Sequence, residues 1–124
     1  MTLIAIAAGG AVGAVARYLV DATVSARLAG AFPWGTLVVN ASGSFALGCL
    51  FALAIERNVL PASIRAPILI GFLGAYTTFS TLMLEAWRLW EDGAVVLAIA
   101  NLAGSTAAGI AALALGLAIG RALA

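Results

Sequence analysis

The chain has 124 residues, of which 65% are hydrophobic and 9% charged, with a formal net charge of +1. Ordinary soluble domains carry about a quarter charged residues, so the composition excludes a soluble globular fold and points to a single-domain membrane protein. With no Lys, no His and six Arg against five acids, it also excludes a basic nucleic-acid surface and offers no nucleophile–base pair or metal cluster for an enzyme.

A transmembrane helix needs about 20 mainly apolar residues, and four stretches meet that need. The first runs from Leu3 to Val20. No basic region precedes it, and it carries Gly9, Gly10, Gly13 and Arg17, which reads as a retained helix rather than a cleaved signal. Arg17 lies near the end of this span, four residues before Asp21, with which it can pair. Asp21–Pro33 is expected to connect to a second span from Thr36 to Ile55. There Thr36, Asn40, Gly43 and Ser44 fall on one helical face. Asn40 offers two N–H donors and one acceptor without charge. It reads either as an interhelical hydrogen bond worth about 1 kcal/mol or as part of a site. Cys49 has no cysteine partner in the chain and reads as helix packing. In the connection Glu56–Ala66, Pro61 and the nearby Pro67 are expected to stop helices by removing a donor.

The third span, from Pro67 to Trp90, holds the most informative stretch. Residues 71–81 read Gly-Phe-Leu-Gly-Ala-Tyr-Thr-Thr-Phe-Ser-Thr. Four hydroxyl residues (Thr77, Thr78, Ser80, Thr81) interrupt an apolar run just after Gly71 and Gly74. Glycine weakens a helix, so a break is expected here. Polar groups and irregular backbone at this depth are tolerated where protein or a water-filled cavity replaces lipid, and Thr or Ser can bond freed carbonyls. Carbonyls at a broken helix also suit Na⁺. The rings of Tyr76 and Phe79 present positive edges to an anion. Glu85 and Arg88, three apart, are expected to pair, either in a vestibule or as a solvated surface pair. Glu91-Asp92-Gly93 turns the chain into a fourth span from Ala94 to Ile119, where Asn101 and Ser105 share a face and Thr106 lies nearby.

Small residues recur four apart at Gly9 and Gly13, Ser44 and Gly48, Ser105 and Gly109, and Gly116 and Gly120. This spacing lets helices approach closely in lipid, either within one bundle or, given the small size of the chain, in a homo-oligomer. If the four spans alternate, Arg57, Arg65 and Arg121 lie on one side and Arg17, Arg27 and Arg88 at or beyond the other. Arg bias sets orientation, and three against three gives almost none. Insertion in both orientations is expected, with an antiparallel dimer as its natural assembly; the alternative is that Arg17 or Arg88 lies inside the bundle and does not count.

Gly-Thr-Leu-Val-Val-Asn at 35–40 followed by Gly43-Ser44, the 71–81 string, and Gly-Gly-x-x-Gly-Ala-x-x-Arg-Tyr at 9–18 together resemble the Fluc (CrcB) fluoride channels over essentially the whole chain. The resemblance implies an all-α fold of four transmembrane helices with a broken third helix. It implies an antiparallel, dual-topology dimer with two pores in a bacterial plasma membrane, exporting F⁻ passively. Asn40 corresponds to the pore asparagine and Phe79 to the first pore phenylalanine. Thr81 and Ser105 match hydroxyls near the ion track, Thr36 and Glu85 lie nearer a vestibule, and Arg17 matches an arginine near the pore mouth. Gly74 and Thr77 match positions whose backbone carbonyls hold a structural Na⁺ at the dimer axis. The chain departs from the family pattern at Leu82, where a second phenylalanine is usual, and some relatives pair two unlike subunits. Of the rival readings, a small multidrug transporter needs a carboxylate in the first span, and residues 3–20 contain none. A non-transporting assembly subunit is the other.

Overall fold

The computed structural model describes residues 1–123, and every regular element in it is helical. Four segments are long and apolar enough to cross a membrane: Thr2–Arg27, Trp34–Glu56, Ala62–Glu91 and Val95–Leu123. The first is helix α1. Helix α2 is Trp34–Phe51, continued by a π-helical turn over Ala52–Glu56. The third span is split into α3, residues 62–76, and α4, Phe79–Glu91. The last segment is α5.

Three boundaries differ from the sequence reading. Residues 21–27, expected in a connection, complete α1. They contain no Gly or Pro to stop it, and the Ser25 hydroxyl bonds the Asp21 carboxylate at 3.2 Å while Thr23 bonds the Leu19 carbonyl at 2.7 Å. At 1.5 Å per residue α1 is about 39 Å long, more than the roughly 30 Å hydrocarbon core. Arg17 therefore stands well inside the helix, not near its end. Pro61 does precede a helix, with φ −55° and ψ 140°, but Pro67 stops nothing. The backbone widens into a π-helix over Pro67–Phe72, closed by the Leu73 N–H on the Ile68 carbonyl. Such a bulge absorbs a residue that does not fit the α ladder. Finally, α5 continues past Ile119 to Leu123.

Glycines decide which helices touch. A Cβ on Gly48 would run into the Leu113 carbonyl, and one on Gly116 into the Phe45 carbonyl, so α2 and α5 meet backbone to backbone. On the other side of the bundle, Gly9 and Gly13 sit against carbonyls of Pro67 and Phe72, and Gly71 faces the Ile6 carbonyl. The recurrent small residues are thus used within the chain, which accounts for their spacing without an oligomer. The third span changes neighbour along its length: α3 packs on α1, and α4 packs on α5. At one end of the bundle Arg121 binds both oxygens of Glu56, at 2.7 and 2.8 Å, and Arg57 donates to the Arg121 carbonyl at 3.1 Å.

Adding a methyl at the α2–α5 seam should therefore overpack it. Gly48→Ala is expected to destabilise the protein by about 1–3 kcal/mol, read as a lowered thermal unfolding midpoint in detergent. Gly104→Ala, where a Cβ meets nothing within 4 Å, is expected to leave the midpoint unchanged or raise it.

Candidate functional site

The third span breaks at Thr77 and Thr78, both extended (φ −76°, ψ 159° and φ −150°, ψ 113°). In an unbroken helix the Thr78 N–H would close on the Gly74 carbonyl and the Thr81 N–H on the Thr77 carbonyl. Neither does. The Thr78 N–H donates to Asn40 Oδ1 at 2.7 Å, and Asn40 Nδ2 donates back to the Thr78 carbonyl at 2.9 Å. The Thr81 N–H donates to Thr78 Oγ1 at 3.3 Å, which caps α4. Thr78 Oγ1 in turn donates to Thr81 Oγ1 at 2.9 Å. One carboxamide on α2 thus stands in for the missing turn of α3.

The hydroxyls do not all act as expected. Thr77 Oγ1 donates to the Leu73 carbonyl at 3.0 Å, but that carbonyl already accepts the Thr77 N–H at 3.1 Å. It is a filled acceptor, not a freed one. The carbonyls of Gly74, Ala75, Tyr76 and Thr77 all lose their helical donors at the break; Gly74 and Thr77 are the two whose would-be donors, the Thr78 and Thr81 N–H groups, are taken by side-chain oxygens instead. Gly74 is exposed, and a Cβ there would meet nothing within 4 Å. The break is further tied to α2 by a 2.8 Å bond between Tyr76 and Ser42; because Ser42 donates to the Val39 carbonyl at 3.1 Å, Tyr76 is the donor.

Two clefts flank the bridged break. One, of about 310 Å³, is lined by Asn40, Ser44, Gly74, Thr77, Phe79 and Leu82, among others. The other, of about 240 Å³, takes Arg17, Asp21, Thr36 and Thr81. Thr78 lines both. Phe79 and Leu82, three apart at the start of α4, line the same cleft, Phe79 at its exposed edge (74% exposed) and Leu82 buried. Most of the residues singled out from sequence fall into these clefts, Arg17, Thr36 and Thr81 on one side and Asn40, Phe79, Gly74 and Thr77 on the other.

Glu85 and Ser105 line neither cleft. Glu85 accepts from the Thr36 hydroxyl at 2.7 Å, not from Arg88. Its side chain turns towards α2, while Arg88 is exposed. One Glu85 oxygen is buried without a partner. Asp21 likewise takes Ser25 rather than Arg17, and its carboxylate rests where a Cβ on Gly35 would be. Among the described residues the one ion pair is Arg121–Glu56. Ser105 donates to Asn101 Oδ1 at 3.2 Å, within α5 and apart from both clefts. Asn101 is fully buried, and its Nδ2 has no partner. The residues that sequence reading passed over are Thr78 as the bridged position and the Ser42–Tyr76 pair. Their partners are on another helix, and no spacing within one helix reports them.

Comparison with known proteins bears on what these clefts handle. The family described as "CrcB-like protein, Camphor Resistance (CrcB)" matches residues 4–117. The chain is 47% identical over 116 residues to the "Fluoride-specific ion channel FluC" of Magnetococcus marinus, covering 94% of each chain. It is 44% identical to the protein of that name from Hahella chejuensis, over 96% of this chain and 94% of the relative. It is 50% identical to "Fluoride-specific ion channel FluC 2" of Mycobacterium bovis, over 86% of this chain and 81% of the relative.

The cap at Thr78 yields a direct prediction. Thr78→Val keeps the shape and the bridged amide but removes the oxygen that receives the Thr81 N–H, at an expected cost of about 1 kcal/mol. Thr78→Ser, which keeps that oxygen, is expected to unfold close to wild type in the same thermal scan.

Proposed function

Because the chain belongs to the CrcB family, we propose that it is a fluoride-selective channel through which F⁻ leaves the cell passively, driven by an inside-negative potential. It is a multi-pass bacterial membrane protein and not an enzyme. The observation that carries the reading is the pair of polar clefts on either side of one bridged break, lined by amide and hydroxyl donors. A small, strongly hydrated anion needs donors to replace its water. It also needs binding weak enough to let it leave. Neutral donors meet both needs better than a fixed cation would. Asn40 Nδ2 keeps a second N–H beyond the one given to Thr78. Thr81 adds a hydroxyl that accepts from Thr78 and keeps its own proton, whereas the protons of Thr36 and Ser105 are held by Glu85 and Asn101 and would have to turn to meet an anion; the exposed ring of Phe79 offers its edge. Arg17 and the Thr36–Glu85 pair stand at the outer side of the second cleft. The multidrug-transporter reading is not favoured, since the curated relatives carry the fluoride-channel name.

The rest of the assembly is part of the same proposal. The Gly74 and Thr77 carbonyls, freed of their helical donors, have the chemistry to hold Na⁺, a hard cation that takes oxygen ligands. Bound there, the ion would fix the break electrostatically. Two carbonyls from one chain are few for such an ion. A second copy facing the first across the break would double them and cover Phe79. With Arg17 inside α1 and left out of the count, Arg stands three against two, a bias still small enough to support an antiparallel homodimer. A pair with a similar but unlike subunit is the alternative, motivated by Leu82, which leaves Phe79 without a second ring three residues on.

Purified protein in liposomes should release F⁻ and retain Cl⁻. Equal passage of both, or of neither, overturns the homodimeric channel. Phe79→Ala should slow F⁻ release by roughly tenfold or more, about 1.4 kcal/mol in barrier. In a Cys49→Ala background, Ser63→Cys should react with an impermeant thiol reagent on intact cells in about half of the molecules, as the small Arg bias implies. Labelling of nearly all or nearly none excludes dual insertion.

A further inference from the structure

We infer that Asn40 sets up the cation site without touching the cation. The inference rests on the proposal that the Gly74 and Thr77 carbonyls hold Na⁺. Two acceptors compete for the Thr78 N–H. One is the Gly74 carbonyl, which an unbroken helix would use. The other is Asn40 Oδ1, which holds it at 2.7 Å. Thr78 is buried, and an amide without a partner in a dry interior is costly. An apolar side chain at position 40 would leave the Thr78 N–H with the Gly74 carbonyl as its nearest acceptor along the chain. Closing that bond occupies the Gly74 carbonyl, which already lies in a helical turn, and draws Thr77 from ψ 159° towards helical values, which turns its carbonyl. One oxygen is then taken by the Thr78 N–H and the other is reoriented, so neither is left for a cation.

The second hydrogen bond makes the device directional. Asn40 Nδ2 holds the Thr78 carbonyl at 2.9 Å, so the carboxamide is fixed at both ends and its acceptor always meets the N–H. Asn40 is therefore a positioning residue for the cation as well as a donor in the cleft. The two roles use different atoms: Oδ1 faces the break, and one N–H of Nδ2 remains for the cleft.

The test is thermal unfolding of the full chain in detergent, with Na⁺ or with N-methyl-D-glucamine at equal ionic strength. Wild type should unfold at a higher temperature in Na⁺. Asn40→Ala should lose that Na⁺-dependent increment. Should it fail to fold, Asn40→Ser, whose hydroxyl is one atom short, should show the same loss. Asn40→Asp, as a neutral acid, presents a carbonyl and an O–H to the same two groups and should keep the increment. Thr78→Ala leaves the bridged backbone intact and should lower the midpoint equally in both media. If Asn40→Ala or Asn40→Ser lowers both midpoints equally and retains the full Na⁺ increment, Asn40 is merely structural and the inference is overturned. If wild type itself is indifferent to Na⁺, the cation reading falls and the inference falls with it.

Discussion

A backbone amide at membrane depth has no water to turn to, and the Asn40–Thr78 pairing is this chain's answer to that constraint at its one extended stretch within a span. Without it, the extended residues at 77–78 would leave a buried donor and acceptor unmet. With it, the third span can stop, shift sideways and start again. That shift is what allows α3 to lie on α1 and α4 to lie on α5. The two clefts exist because the span changes neighbours at this point, and both reach Thr78.

The polar groups around the break form a graded set. Nearest the bridge are neutral donors: the amide of Asn40 and the hydroxyls of Thr77, Thr78 and Thr81. Further out come Arg17, Asp21 and the Thr36–Glu85 pair. The fully formed ion pair, Arg121–Glu56, is kept to an exposed end of the bundle, where solvation makes it cheap. No charged side chain bonds the bridge itself, although Arg17 and Asp21 share its second cleft. This arrangement suits a chain that must hold polar atoms at depth without trapping an anion there.

Much of this was readable in the sequence. Four apolar stretches gave four spans, and the density of hydroxyls after Gly71 and Gly74 located the break to within a few residues. Asn40, Thr36 and Thr81 stood out because polar atoms in an apolar run need a reason. What could not be read was whatever depends on the other side of a contact. Residues 21–27 look polar enough for a connection but carry no helix breaker. Pro67 looks like a stop, yet a π-helical widening accommodates it. Glu85 has Arg88 at ideal spacing and instead takes Thr36, because a side chain facing a neighbouring helix takes the partner found there. The glycine pairs looked equally suited to an oligomer seam, and only the facing carbonyls decide between the two.

The seam between α2 and α5 has a consequence for biogenesis. Gly48 and Gly116 come from opposite halves of the chain, so the tightest helix pair is also one of the most distant in sequence. During synthesis α2 enters the membrane long before its partner is made. Its glycine face must wait in lipid while the broken span is threaded beside it. Contacts of such long sequence separation form late. The bundle is therefore locked by its last helix, and a chain halted before α5 has its bridge residues but no wall behind them.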